Sequence, residues 1–269
     1  MIQDIAPHKL NNVYDPSAAP HKGDALVSYR DGGMFVKTGE GQLLFPEAEG
    51  GEEGLTFLFR LDERAFFLTD QKPEGYELIS MRELRAWGLQ PKELVFAAFT
   101  AMHLAEWYRR SRFCGCCGAL LEKSETERAM VCPECKATFY PRLNPAVIVG
   151  VKNKDSLLVT KYNRGFSQNA LIAGFAEIGE TLEETVAREV MEETGVRVKN
   201  ITYYKSQPWG MAGDLLAGFL CEVDGDTKIR RDENELKEAA WVERENIVLQ
   251  TSDYSLTNEI MSRFKNRLW

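Results

Sequence analysis

The 269-residue chain carries a formal net charge of −8, with 28% charged and 44% hydrophobic residues, an ordinary globular balance that supports one large or two modest domains. That acidity disfavours an extended nucleic-acid groove lined with Lys and Arg, and no apolar run approaches the roughly 18 residues of a membrane span. The start, MIQDIAPHKLNNVYD, has no basic segment followed by an apolar core, so a cytoplasmic location is expected.

Residues 1 to about 50 are rich in Gly, Pro and Asp, and the pieces ALVSYR (25–30) and GMFVKT (33–38) predict strands joined by turns. LTFLFRLDERAFFLTD (55–70) divides into two apolar halves around Asp62 and Glu63, the pattern of a hairpin. Ser80 with Glu83 three residues on is a capping box that opens a short helix. Pro91 suits the N1 position of a second helix, mostly buried through Leu94, Phe96, Phe99, Met102 and Trp107. A cysteine-rich segment follows. Beyond it AVIVGV (146–151), SLLVTKY (156–162), ITYYKS (201–206), LLAGFLCEV (215–223) and AAWVE (239–243) read as strands, and ALIAGF (170–175) leads into an acidic helical stretch. Asp253 or Ser255 caps a final helix through Phe264. The expected organisation is a small β-rich domain over 1–112 ending in a helix, a cysteine segment over 113–142, and an α/β domain over 143–269.

Five of the six cysteines lie between Cys114 and Cys135, and 14 residues separate Cys114-x2-Cys117 from Cys132-x2-Cys135. This is the spacing of a tetrahedral four-thiolate zinc ribbon, because a two-residue gap lets each short loop present both sulfurs to one ion at about 2.3 Å. Four protein ligands leave no open position, so the zinc is expected to be structural, holding a segment too small for its own core. Gly115, Gly118 and Pro133 suit the tight turns. Cys116 either competes for zinc or stands by, and Cys221, in an apolar run, reads as a core residue. His8, His21 and His103 form no cluster in sequence and suggest no catalytic role.

The stretch GFAEIGETLEETVAREVMEETGV (174–196) crowds carboxylates onto one helix. Thr181 as N-cap, Glu184 three residues on and Gly195 as terminator bound that helix to Leu182–Thr194. At 3.6 residues per turn, Glu189, Glu192 and Glu193 share an arc of roughly 100°. Like charges so placed repel, and hard oxygen ligands on one face suit Mg²⁺ or Mn²⁺, although a solvated acidic face has the same composition. Arg188 lies one turn from both Glu184 and Glu192 and suits a clamp on either.

The spacing decides between the two. Gly174, five residues, Glu180, seven residues, then Arg188-Glu189-Val190-Met191-Glu192-Glu193-Thr194-Gly195-Val196 resembles the Nudix box at every fixed position. The resemblance implies an α/β/α sandwich with a mixed sheet and metal-dependent hydrolysis of a nucleoside diphosphate linked to another group. Ser206-Gln207-Pro208-Trp209, together with the preceding four-cysteine ribbon, is similar to the zinc-ribbon NADH pyrophosphatases. Many of these continue with PFP where this chain has Gly210-Met211-Ala212-Gly213, a loop with fewer fixed φ angles and one aromatic fewer.

Carried onto matching positions, the resemblance implies that Glu189, Glu193 and Glu235 bind Mg²⁺ or Mn²⁺, with Glu238 as the alternative to Glu235. The Ala173 carbonyl and Glu192 are further ligands, and Glu193 or Glu192 is the base. Phe175 and Tyr140 correspond to rings that sandwich the nicotinamide in a homodimer, one from each subunit, with Glu127 and Gln207–Trp209 completing the pocket. The alternative reading makes Phe175, Tyr140 and Trp209 core aromatics and Glu127 a surface acid. The implied reaction is NADH or NAD⁺ plus water giving NMNH or NMN and AMP, with removal of an NAD cap from RNA 5′ ends, or hydrolysis of another nucleoside diphosphate derivative, as the alternatives. A ligand sensor on the same scaffold would carry a damaged box and a basic surface, whereas every box carboxylate is intact.

Overall fold

A computed structural model describes residues 1–88, 90–163 and 168–269. Two compact units emerge, one containing Ile2–Arg142 and Gly210–Gly213, the other Met1, Leu143–Trp209 and Asp214–Trp269.

In the first, the strands are β1 (Leu10–Asn11), β2 (Ala25–Arg30), β3 (Gly33–Gly39), β4 (Gln42–Leu44), β5 (Thr56–Leu61), β6 (Arg64–Thr69) and β7 (Glu77–Ser80). They form one sheet in the order β1-β5-β6-β2-β3-β4, with β7 also on β3. β5 and β6 make the expected hairpin, and Asp62 at its tip takes φ 51°, a left-handed conformation that Asp tolerates. Stacked Phe59 and Phe66, with ring centroids 4.8 Å apart, fill the core. Helix α1 (Met81–Ala86) starts at the Ser80–Glu83 capping box. Helix α2 (Lys92–Arg110) begins one residue later than the N1 reading of Pro91 required: Pro91 is the N-cap, with ψ 154°. A proline fits either place, since its φ is fixed near −65° and neither position needs its missing N–H.

The cysteine segment forms a three-stranded sheet of β8 (Glu122–Lys123), β9 (Met130–Val131) and β10 (Thr138–Phe139). Within the same unit the Tyr14 hydroxyl donates to the Ser124 carbonyl at 3.0 Å, and Arg128 donates to the Leu58 carbonyl.

The second unit holds β11 (Asn144–Asn153), β12 (Ser156–Tyr162), β13 (Ile172–Phe175), helix α3 (Leu182–Thr194), β14 (Val198–Trp209), β15 (Asp214–Val223), β16 (Leu236–Glu243) and helix α4 (Leu256–Lys265). The sheet runs β14-β15-β11-β12-β16 with β13 on β11, and it is mixed because β11 and β15 are parallel while the other pairs are antiparallel. Residues alternate between faces along a strand. Val147, Val149 and Val151 accordingly meet Val186 and Val190 of α3 on one face. Ile148 meets Ile260, Met261 and Phe264 of α4 on the other. Gly150 permits that second contact, because a Cβ there would lie 2.8 Å from Ile260 Cγ2. The expected α/β/α sandwich is thus present, and Cys221 is in its core. No helix among the described residues is long and apolar enough to cross a membrane.

Candidate active site

Thr181 caps α3 in a complete capping box with Glu184, and Gly195 ends it at φ 68°, so the helix spans the residues its local signals set. Glu184 is spent on that cap: it accepts from the Thr181 amide at 2.8 Å and from the Thr181 hydroxyl at 2.9 Å. It is therefore not the partner of Arg188. The guanidinium reaches back to Glu180, with Nε donating to Oε1 at 2.6 Å and Nη2 to Oε2 at 2.9 Å, and it also donates to the Phe175 carbonyl at 2.8 Å. Its remaining nitrogen donates to Glu189 at 2.8 Å and to Glu192 at 3.0 Å. One cation thus ties the loop of the box to its helix. The bond to Arg188 holds the Glu180 carboxyl down at about 2.

Gly174 on β13 shows why the box begins with glycine. A Cβ there would lie 1.9 Å from the Glu189 carboxyl carbon, so the Glu189 side chain occupies the space a residue at 174 would need. Burial, opposed by Arg188, raises the Glu189 pKa, whereas the Glu192 side chain is 60% exposed and rests on Arg188.

Glu193 is the buried member, 2% exposed. The Tyr162 hydroxyl lies 3.5 Å from its Oε1 and accepts from the Ala173 amide at 3.1 Å, while its Oε2 is buried with no hydrogen-bond partner. Burial, then the charges of Glu235 and Glu189, push Glu193 up to about 8. Glu235 reaches this place because the segment before β16 is fastened to the end of α3: the Arg230 amide donates to the Thr194 carbonyl and the Asp232 amide to the Glu193 carbonyl, each at 2.8 Å. Glu238 is engaged elsewhere, by Lys161 at 2.7 Å. A buried carboxyl oxygen without a hydrogen-bond partner, beside two more carboxylates, is a donor set that fits a hard divalent cation. Ala173, the other expected ligand, stands opposite Ile148 on β13 with its amide on Tyr162. Nothing local in the sequence marks Tyr162, which lies far from the box and ends an apolar strand.

The four cysteines Cys114, Cys117, Cys132 and Cys135 have sulfurs all within 4.8 Å of one another, the sole group of three or more candidate ligands drawn so close among the described residues. Cys114 and Cys135 Sγ are 3.5 Å apart, Cys117 and Cys132 Sγ 3.4 Å. A tetrahedron with Zn–S of about 2.3 Å has edges of about 3.8 Å, so the thiols fit zinc with little adjustment. The two loops are alike. Cys116 N donates to Cys114 Sγ and Cys135 N to Cys132 Sγ, both at 3.4 Å, and each loop closes through a left-handed residue, Gly118 at φ 78° and Lys136 at φ 62°. Gly115, also expected to serve a turn, lies in one without a positive φ. Cys116 is exposed.

Of the residues expected around a dinucleotide, Tyr140 and Glu127 meet: the hydroxyl donates to Glu127 Oε1 at 3.1 Å, and the Tyr140 ring is 58% exposed. Phe175 is 55% exposed, so neither ring is a core aromatic. Pro208 and Trp209 end β14, an edge strand, where a missing N–H is harmless. Gln207 differs from the others. Its side chain is fully buried, Nε2 donating to the Tyr254 carbonyl at 2.6 Å and Oε1 accepting from the Leu256 amide at 2.7 Å, so it anchors the start of α4. Gly210, the first residue after the motif, runs against the Phe99 carbonyl, which a Cβ would approach to 2.3 Å.

Residues 142–264 match the NUDIX domain model and residues 109–140 the NADH pyrophosphatase zinc ribbon domain. The chain is 34% identical to a NAD-capped RNA hydrolase NudC of Citrobacter koseri over 84% of its length and 90% of the relative's. It is 36% identical to the protein of the same name from Salmonella schwarzengrund, with the same coverage of both chains. A crystal structure of a NUDIX hydrolase from Nitrosomonas europaea superposes with a TM-score of 0.51 at 21% identity, over 58% of this chain and 91% of that one, a likeness of fold. Box, ribbon, sandwich and near full-length relatives agree: the chain belongs to the Nudix hydrolases, in the zinc-ribbon family of the NADH pyrophosphatases and NAD-capped RNA hydrolases.

Proposed function

We propose that this chain hydrolyses the pyrophosphate of a nicotinamide dinucleotide, NADH or NAD⁺ plus water giving NMNH or NMN and AMP. The observation that carries the reading is the partnerless buried Oε2 of Glu193 beside Glu189 and Glu235. With Glu192 and the Ala173 carbonyl, these residues would hold Mg²⁺ or Mn²⁺. Such a cation supplies neutralisation of the anionic diphosphate and acidification of water. Arg188 keeps the carboxylates spaced and the loop of the box closed on its helix. Either Glu193 or Glu192 would take the proton of the attacking water as its oxygen bonds to phosphorus and the bridging P–O bond breaks. The four cysteines would hold Zn²⁺ outside the reaction.

The exposed Tyr140 and Phe175 rings support stacking on the nicotinamide, one from each subunit of a homodimer, with Glu127, Pro208 and Trp209 alongside. Removal of the same dinucleotide from a 5′ RNA end is a second reading, favoured by the relatives named NAD-capped RNA hydrolase. A net charge of −8 suits capture of a flexible end more than a long RNA groove. The test is incubation of the zinc-loaded protein with NADH, NAD⁺, ADP-ribose and an NAD-capped RNA, with Mg²⁺ or Mn²⁺, and mass identification of products. Preferential release of NMNH and AMP is expected. Rapid cleavage of ADP-ribose with NADH untouched would overturn the substrate reading and leave the hydrolytic one.

A further inference from the structure

At the end of β12 the pairing with β16 slips: Lys161 faces Glu238, but Tyr162 faces Leu236, so Lys237 is an extra residue on the partner strand. Such a bulge bends a sheet and re-aims the side chains beside it. Here it coincides with two residues that touch both arms of the acidic site. The Tyr162 hydroxyl is near three polar groups: it accepts from the Ala173 amide at 3.1 Å, and its single proton can serve the Leu171 carbonyl at 3.3 Å or Glu193 Oε1 at 3.5 Å. Asn163 holds the other arm. Its amide donates to the Glu235 carbonyl at 2.9 Å and its Nδ2 to the Glu233 carbonyl at 2.8 Å, which fixes the segment from which the Glu235 side chain projects.

From this juxtaposition we infer that Tyr162 and Asn163 are positioning residues that set Glu193 and Glu235, carried by different elements, at a fixed separation for a divalent cation. The inference rests on the reading of those carboxylates as cation ligands. Tyr162 stands at Oε1 of Glu193, whose Oε2 is buried without a partner; Asn163 acts on the backbone and does not touch the Glu235 carboxylate. A phenyl ring in place of Tyr162 would retain the packing and lose the hydroxyl. It would leave the Ala173 amide and Glu193 Oε1 without their shared partner, and the carboxylate free to rotate.

The experiment is a Mn²⁺ titration of the zinc-loaded full chain, followed by the electron paramagnetic resonance of free Mn²⁺. Wild type, Tyr162→Phe and Asn163→Ala are compared, each also melted without Mn²⁺ and assayed on NADH across Mn²⁺ concentrations. Groups that orient ligands typically tune affinity by one to two orders of magnitude, so Tyr162→Phe is expected to weaken Mn²⁺ binding about tenfold and Asn163→Ala, which retains the backbone bond, about threefold. The KM for NADH at saturating Mn²⁺ stays near wild type in both variants, and the melting temperature without Mn²⁺ stays near wild type in Asn163→Ala and falls in Tyr162→Phe, which strands two polar groups; weakened Mn²⁺ binding in Asn163→Ala at an unchanged melting temperature is what a merely structural role would not produce. Asn163 is exposed, so its variant carries the test should Tyr162→Phe be unstable. Wild-type Mn²⁺ affinity in both variants overturns the positioning role while leaving the cation reading intact. A wild-type protein that retains no Mn²⁺ overturns both.

Discussion

Glu193→Gln should stabilise the cation-free protein while abolishing most of its turnover. The carboxyl, 2% exposed, is pushed from 4.5 up to about 8 by burial and by the charges of Glu235 and Glu189. Between those values the folded chain keeps a proton that the unfolded chain has released, so wild-type stability falls as pH rises across that window and is lowest above pH 8. At about 1.4 kcal/mol per pH unit the interval bounds the cost at roughly 5 kcal/mol. Relaxation around the charge and the buried amide that Gln introduces reduce this, and about 2 kcal/mol is expected. For a unit of this size that is a melting temperature about 6–8 °C higher at pH 8.5, shrinking towards zero at pH 5. The assay is thermal unfolding followed by circular dichroism in buffers without Mg²⁺ or Mn²⁺ and without chelator, which would strip the cysteine site. Mg²⁺ should then raise the wild-type transition and leave the variant's in place. A variant no more stable than wild type at pH 8.5, or equally stabilised at both pH values, would refute the account of Glu193 as a buried charge awaiting a cation.

Glu235→Gln should cost turnover by about tenfold or more, whereas Glu238→Gln, whose carboxylate is engaged by Lys161, should stay near wild type; steady-state rates at limiting Mg²⁺ separate them. Gln207→Ala leaves the Tyr254 carbonyl and Leu256 amide unpaired and should destabilise by about 2–4 kcal/mol in denaturant melts with little change in KM for NADH. A raised KM with unchanged stability would return that side chain to the substrate. Cys132→Ser should lose the bound zinc by elemental analysis. It should also lose exchange protection of the Gly118 and Lys136 amides, which close the two loops, because metal binding worth about 10–16 kcal/mol is what folds so small a segment.

What could be read from the sequence was local. Thr181, Glu184 and Gly195 set both ends of α3, and the doubled cysteine spacing marked four thiols that the structure gathers, because each signal acts within a few residues. Long-range pairing was hidden. Helical spacing offered Glu184 to Arg188, but the cap had already taken Glu184, and the guanidinium turned to Glu180 in the preceding loop. Gln207 sits inside a motif, while the side-chain partners that anchor it lie at Tyr254 and Leu256, on a segment with which it shares no sequence pattern. Tyr162 ends an apolar strand in the sequence, and the approach of its hydroxyl to Glu193, 31 residues on, is a long-range pairing that no local pattern marks.

Gly174 has no positive φ, so its backbone does not require glycine. The requirement is volume, and the volume belongs to Glu189. For anyone redesigning the site the two positions are one choice: Glu189→Asp withdraws the carboxylate by a methylene and vacates the space in which a methyl group at 174 could sit. A library that varies either position alone would record two intolerant sites and miss the coupled pair.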